Sequence, residues 1–230
     1  MIRRLKKLLG KYRHIQKEIN YESRWFGTEY GGFYIIPELV GEHSVIYSFG
    51  IGEDISFDKE LIKEFKCHVY GFDPTPKSIN WCEEQTLPDN FKFFKYGLAN
   101  KTGVVTFNLP KNENHVSGSI INHKNVSIED SIDVDMKSFK DIIGIFKHKK
   151  IDVIKMDIEG SEYDTLESIF MSGIQINQIV VEFHERFFKD GKEKTIKALD
   201  LLKRNGFLLY AISDSYEELS FVNKEAFQEL

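Results

Sequence analysis

Short runs of apolar residues alternate with stretches of helical spacing along most of the chain, and that alternation predicts a fold before any single motif does. Val45 to Phe49 reads as a strand, Phe57 to Phe65 as a helix, His68 to Phe72 as a strand, Lys77 to Glu84 as a helix and Phe91 to Tyr96 as a third strand. Val104 to Asn108 and Ser131 to Met136 read as short strands flanking a polar loop, Pro110 to Asp130. A helix at Phe139 to Phe146, a strand at Ile151 to Met156, a helix at Tyr163 to Phe170, a strand at Gln178 to Phe183 and a helix at Lys192 to Asn205 follow. Phe207 to Ile212 and Glu218 to Val222 close the series. Strands separated by helices predict an α/β domain whose mostly parallel sheet is covered on both faces. The last two strands have only Ser213 to Glu217 between them, too little for a crossover helix, so they should pair antiparallel. A polar loop as long as Pro110 to Asp130 is expected to be functional or mobile.

The first residues break the alternation. Ile2, Leu5, Leu8, Leu9, Tyr12 and Ile15 fall on one side of a predicted helix, and Arg3, Arg4, Lys6, Lys7, Lys11, Arg13 and Lys17 fall largely on the other. Residues 1–30 are therefore set apart as a basic amphipathic extension, and residues 31–230 as one domain. The plainer reading packs this helix across the domain or into a homodimer; the alternative lays it on an anionic membrane surface. No apolar run is long enough to span a bilayer, and no secretory signal core is present.

Composition narrows the class. With 230 residues, 41% hydrophobic and 29% charged, the chain suffices for one well-buried α/β domain and is marginal for two. A net charge of -5, with basic residues spread among acids, argues against a general nucleic-acid binder. Nor does the chain carry the Asn/Asp-Pro-Pro-Tyr/Phe block used on flipped bases. The two cysteines, Cys67 and Cys82, form neither a disulfide framework nor a metal motif, which suits a reducing cytoplasm.

Candidate chemistry gathers where predicted strands end. Ile151-Asp152-Val153-Ile154-Lys155-Met156 runs into Asp157, Glu159 and Gly160, a strand followed by an acidic turn and a helix. In open α/β sheets, ligands bind beyond the carboxyl ends of the strands. Gly50-Ile51-Gly52 follows the first strand, where a glycine turn brings backbone amides close to a ligand; taken alone it is also an ordinary tight turn. Asp73 tips the second strand about 20 residues on, the spacing for a carboxylate on ribose hydroxyls, or else it is a turn aspartate before Pro74. Together the two segments point to an adenosine site. Glu182 and His184 end the strand after the acidic turn. With Asp157 and Glu159 they form a divalent-ion site, an acid/base cluster or simply a polar rim.

The segments Tyr47-Ser48-Phe49-Gly50-Ile51-Gly52, Phe72-Asp73-Pro74, Gly97-Leu98-Ala99 and above all Lys155-Met156-Asp157-Ile158-Glu159-Gly160-Ser161-Glu162 resemble the FkbM-type S-adenosylmethionine-dependent methyltransferases, over roughly Val45 to Phe188. The resemblance implies a Rossmann-like class I methyltransferase sheet of seven mostly parallel strands with the last one antiparallel. It also implies O-methylation of a sugar, glycan or other small polar acceptor. Carried over, Gly50 and Gly52 line the methionine part of the cofactor, Asp73 holds the ribose, Leu98 lies by the adenine, Ser119 approaches from above and Asp157 sits at the methionine end. The chain departs from the pattern at Ser48, where an acid is usual, and at Asp54, where the last glycine of the fuller motif would stand. Asp157 or Tyr30-Gly31-Gly32-Phe33 is then left to meet the cofactor's amino group. For the acceptor's proton the candidates are His184, then Glu182 and Glu159; a divalent cation such as Mg²⁺ on Asp157, Glu182 and His184 is the alternative. Asn112, Asn114, His115, His123 and Asn125 suit a hydroxylated acceptor. Two other readings are an NAD-dependent oxidoreductase, which wants a third glycine where Ile55 stands, and a Rossmann-like scaffold without catalysis.

Overall fold

The computed structural model describes residues 12–110 and 126–230. In chain order come β1 (Arg24–Phe26), β2 (Phe33–Ile35), β3 (Val45–Phe49), α1 (Ser56–Phe65), β4 (His68–Phe72), α2 (Pro76–Glu84), β5 (Phe91–Phe94), β6 (Gly97–Ala99), β7 (Gly103–Pro110) and β8 (Val126–Ser138). They are followed by α3 (Phe139–Phe146), β9 (Lys150–Met156), α4 (Glu162–Met171), β10 (Gln175–Glu182), α5 (Gly191–Arg204), β11 (Phe207–Ile212), β12 (Glu218–Asn223) and α6 (Lys224–Gln228). The main sheet has seven strands in the order β11-β12-β10-β9-β3-β4-β5. Its contacts are parallel except along β12, which runs antiparallel to both β10 and β11. This is the α/β sheet with a reversed last strand expected from the sequence.

The two-residue period of the strands sorts side chains onto two cores. Tyr47, Phe49, Ile154, Met156, Ile179 and Val181 point to one face, packed against Phe139 and Ile142 of α3, Leu166 and Ile169 of α4, and Ala198 and Leu202 of α5. Ile46, Val69, Val153 and Val180 point to the other, under Phe57, Leu61 and Ile62 of α1. Each large aliphatic side chain so buried stabilises the fold by roughly 1.5–3 kcal/mol against exposure. Burial on both faces is why the central strands read as near-continuous apolar runs.

Two polar residues interrupt the buried strand β9. Asp152 accepts from Val45 N at 2.9 Å and from Asn177 Nδ2 at 3.1 Å, and Lys155 Nζ donates to Gly50 O at 2.5 Å. Both find partners, as buried charges must.

The structure differs from the sequence reading in three places. The expected third strand, Phe91 to Tyr96, stops at Phe94; the chain then leaves the sheet, and β6 pairs with β8 in a separate three-stranded sheet that also holds β7. Gly97 permits this crossing, because a Cβ there would stand 2.7 Å from Met136 Sδ and 3.0 Å from Pro74 Cγ. The expected polar loop, Pro110 to Asp130, gives up its end to β8, which begins at Val126; residues 111–125, including Ser119, Asn112, Asn114, His115, His123 and Asn125, lie outside the described residues.

The third difference concerns the N-terminal extension. Residues 1–11 lie outside the described residues, and 12–19 are not helical. They form a turn and an extended run held by tertiary contacts: Tyr12 stacks on Tyr216 at 4.6 Å, Ile15 enters the main core and Glu18 N donates to Leu209 O at 2.8 Å. Such contacts override the helical spacing. The boundary drawn between residues 30 and 31 falls inside the β1–β2 hairpin, whose Phe33 packs edge-on to Phe57 at 5.7 Å. No described helix is long and apolar enough to cross a membrane.

Candidate active site

Four parallel strands deliver the predicted residues to one rim. Beyond β3 the backbone turns through Gly50 (φ 79°) and Gly52 (φ 56°), conformations that favour glycine. At Gly50 there is a second constraint: a Cβ would lie 1.7 Å from the carbonyl oxygen of Asp157. The glycine turn and the acidic turn are thus in backbone contact. Gly50 N donates to Phe72 O and Asp157 N to Phe49 O, each at 3.0 Å, and Lys155 Nζ caps Gly50 O from below.

Asp73, at the end of β4, is only 5% exposed. One carboxylate oxygen accepts from Ile51 N at 3.0 Å and Gly52 N at 2.9 Å; the other accepts from Thr75 N at 2.9 Å and Thr75 Oγ1 at 2.6 Å. Four donors fill the four lone-pair positions of a carboxylate. The residue expected to hold a ribose is therefore first of all the brace of the glycine turn.

A solvent-open cavity of about 100 Å³ lies above this turn. Gly50, Gly52, Asp73, Leu98 and Asp157, all named from the sequence, line it together with Glu159. Ser119 lies outside the described residues, and Tyr30-Gly31-Gly32-Phe33 is absent from this wall. The glycine turn, an apolar wall of Leu98, Phe107 and Met136, and Asp157 at one end make a cradle that is apolar on one side and acidic at its end.

At its acidic end stands His184, whose side chain is fully buried. Its backbone N donates to Glu162 Oε1 at 2.7 Å, and its Nδ1 meets the same oxygen at 3.1 Å. Glu162 is itself fully buried, and its other oxygen accepts from Gly160 N at 2.8 Å. With Nδ1 committed, Nε2 points into a ring of acids: Glu159 Oε2 at 3.3 Å, Glu182 Oε1 at 3.4 Å and Asp157 Oδ1 at 3.7 Å. No hydrogen bond of good geometry forms at Nε2. Glu159 reaches the ring from a left-handed backbone conformation, φ 51°, an uncommon one for a non-glycine residue that marks functional sites.

Charge in this ring is far from its resting state in water. Burial disfavours the imidazolium, but Glu162, Glu182 and Glu159 outweigh it and lift His184 to about 10. Burial, then Asp157, drives Glu182 well above the usual carboxylate range, against the pull of His184 and Arg186. At neutral pH His184 thus keeps its proton.

Glu182 also faces a second opening. A cleft of about 530 Å³ lies beside the ring, lined by Trp25, Tyr30 and Tyr34 from the β1–β2 hairpin, by Ser213, Asp214 and Glu217 from the turn before β12 and by Glu218 at its start. Tyr30 is 86% exposed, and Trp25 stands edge-on to Tyr34 at 5.0 Å. Arg186 spans the rim, with Nη2 3.2 Å from Glu182 Oε1 and Nη1 2.9 Å from Glu217 Oε2. Arg186 escaped the sequence reading. Lys155 and Glu162 stood at the two ends of the family block without a role of their own, and of the hairpin only Tyr30-Gly31-Gly32-Phe33 was named, for the cofactor's amino group rather than for a cleft; strands of three residues leave little signal.

Comparison with known proteins gives the family. The methyltransferase FkbM domain model matches residues 44–209. Probable methyltransferase-like protein 24 of Homo sapiens is 25% identical over 209 residues, covering 85% of this chain and 50% of that protein. The 2-O-methyltransferase NoeI of Sinorhizobium fredii is 25% identical over 182 residues, covering 73% and 74%. The hexuronic acid methyltransferase AglP of Haloferax volcanii is 26% identical over 121 residues, covering 52% and 48%. The chain spans about half the length of the first of these relatives. A solved structure, the Methanococcus jannaschii fibrillarin pre-rRNA processing protein, overlaps 91% of this chain and 86% of its own at 14% identity and a TM-score of 0.48, a likeness too distant to carry function.

Proposed function

The chain belongs to the methyltransferase FkbM domain family, and from that premise we propose that it moves a methyl group from S-adenosylmethionine to a hydroxyl of a sugar or similar small polar acceptor. Membership sets aside the dinucleotide-oxidoreductase alternative. One observation carries the reading. The acid ring lies where two openings meet, with Asp157 and Glu159 in the wall of the cavity above the glycine turn and Glu182 in the wall of the aromatic cleft. Methyl donor and acceptor need such a junction. Two relatives whose names specify a sugar acid or a 2-O position support the acceptor class.

In this reading Gly50, Ile51 and Gly52 present the turn on which the cofactor rests, Asp73 keeps that turn in shape, Leu98 flanks the base and Asp157 faces the amino-acid tail. S-adenosylmethionine supplies an already electrophilic methyl group, so the protein's part is placement, exclusion of water and removal of one proton. The aromatic rings of the cleft offer flat faces to the C–H face of a sugar, and its acids and serines offer partners for hydroxyls. Glu182, whose affinity for a proton burial and Asp157 raise, takes the acceptor's proton as the oxygen–carbon bond forms, with Glu159 the next nearest carboxylate. His184 positions both.

Calorimetric titration with S-adenosylmethionine and with its demethylated product tests the first half. Micromolar binding of both is expected; binding of neither removes the reading. Methyl transfer from labelled cofactor to a panel of mono- and oligosaccharides tests the second.

A further inference from the structure

We propose that the acid ring is a divalent-cation site, with Asp157 Oδ1, Glu182 Oε1 and His184 Nε2 as protein ligands, and that its ion holds the acceptor oxygen at the mouth of the cleft. The placement of the acceptor rests on the methyltransferase reading; the metal site does not.

The donor atoms are already gathered. All three lie within 4.8 Å of one another, and ligands around an ion of about 2.1 Å bond length stand at most about 4.2 Å apart. Small rotations of two carboxylates close that gap. The imidazole is prepared in the way metal-binding histidines are: Glu162 holds Nδ1, which fixes the ring's orientation and aims Nε2 at the ring of acids, so that an ion binding there takes the place of the Nε2 proton, which leaves to solvent. Glu162 is fully buried and doubly anchored by His184 N and Gly160 N, so the support is rigid. Nε2 is a buried polar atom with no hydrogen bond, aimed at three carboxylates. Such groups in a native fold call for an explanation, and an ion is one.

Charge argues the same way. Four carboxylates, Asp157, Glu159, Glu162 and Glu182, surround a single imidazole, with Arg186 pairing with Glu182 and its charge also acting on Glu159. A dication offsets that excess better than one shared proton. Oxygen donors with one imidazole suit Mn²⁺ and Mg²⁺, and the nitrogen favours Mn²⁺. Because the ligands come from both walls of the junction, coordination positions not filled by protein face the two openings. With the ion in place Glu182 is a ligand, so an alcohol bound there, which loses its proton more readily, gives it to Glu159, and two vicinal hydroxyls can be held together.

The test uses Mn²⁺ itself, added to untagged, chelator-treated protein and followed by electron paramagnetic resonance and calorimetry. One ion bound per chain with micromolar affinity is expected. His184→Gln and Glu182→Gln should each weaken it at least about tenfold. Thermal melts accompany both variants; should one fail to fold, the other decides. Absence of stoichiometric binding to the wild type overturns the site, and so does binding that both variants leave unchanged. S-adenosylmethionine titration of the same metal-free protein separates the two ideas. Cofactor binding without Mn²⁺ binding removes the ion and leaves the methyltransferase reading; Mn²⁺ binding without cofactor binding does the reverse.

Discussion

The two turns that meet at Gly50 are built on opposite plans. On the glycine side, Asp73 meets four donors and Lys155 meets a carbonyl, so the side chains that shape the turn are satisfied. On the acidic side, four carboxylates crowd one imidazole whose Nε2 makes no hydrogen bond, and Glu159 sits in a strained conformation. Satisfied polar groups shape a surface, whereas crowded like charges hold a reactive potential that only a ligand, a proton or an ion relieves. The first side is a scaffold, and the second is where chemistry belongs.

Asp73→Ala tests that division most severely. If the residue braces the turn, its loss strands two backbone amides and the Thr75 cap and costs about 4 kcal/mol, read by urea melts. A loss below about 1 kcal/mol with weakened cofactor binding would instead make Asp73 a ligand-holding residue, and the contrast would fail.

Asp58 probes whether the scaffold side is wholly quiet. It is fully buried beneath the glycine turn, and burial, opposed by Lys155, lifts its carboxyl to about 6 from the ordinary value of 3.8. With the folded value above the unfolded one, its contribution is full below pH 3.8 and is lost as pH rises through about 6. Measured against Asp58→Asn, the wild type should lose up to about 3 kcal/mol of relative stability across that window. A flat difference would show the carboxyl to be unperturbed.

Glu182→Gln is expected to do the opposite of Asp73→Ala. Removing one of the crowded charges should leave the melting temperature unchanged or higher while methyl transfer falls about 100-fold. A fall in stability to match the fall in rate would put Glu182 on the scaffold side. The smallest effect belongs to Tyr30→Ala at the exposed edge of the cleft. Loss of one stacking face, worth about 1 kcal/mol, should raise the acceptor KM several-fold with cofactor binding unchanged.

Much of this was legible in the sequence, for reasons that differ by region. Strands such as β3, β4 and β9 are buried on both faces, so their apolar runs stand out, and β11 and β12 could only pair antiparallel across five residues. Cavity residues were legible because Gly50, Gly52, Asp73 and Asp157 terminate those same strands. The cleft was not. Its aromatic wall comes from a hairpin of three-residue strands, β1 and β2, whose pairing rests on contacts with α1 far along the chain. The amphipathic pattern read over the first 19 residues lies mostly in 1–11, outside the described residues; in 12–19, contacts at Tyr216 and Leu209 hold a turn and an extended run in place of the expected helix. The roles of Glu162 and Arg186 depend on which charges stand within 4 Å, which spacing along a chain does not disclose.

The missing room at Gly50 has a consequence for anyone mapping this protein by exhaustive substitution. With the Asp157 carbonyl 1.7 Å from where a Cβ would stand, every replacement at Gly50 will score as dead. A naive interpretation of that score will be that the position touches the cofactor. The true defect will be that the two turns have been pried apart, so losses at this codon belong in the column of broken architecture. Silent positions such as Tyr30, by contrast, will hide their meaning until the right acceptor is in the assay.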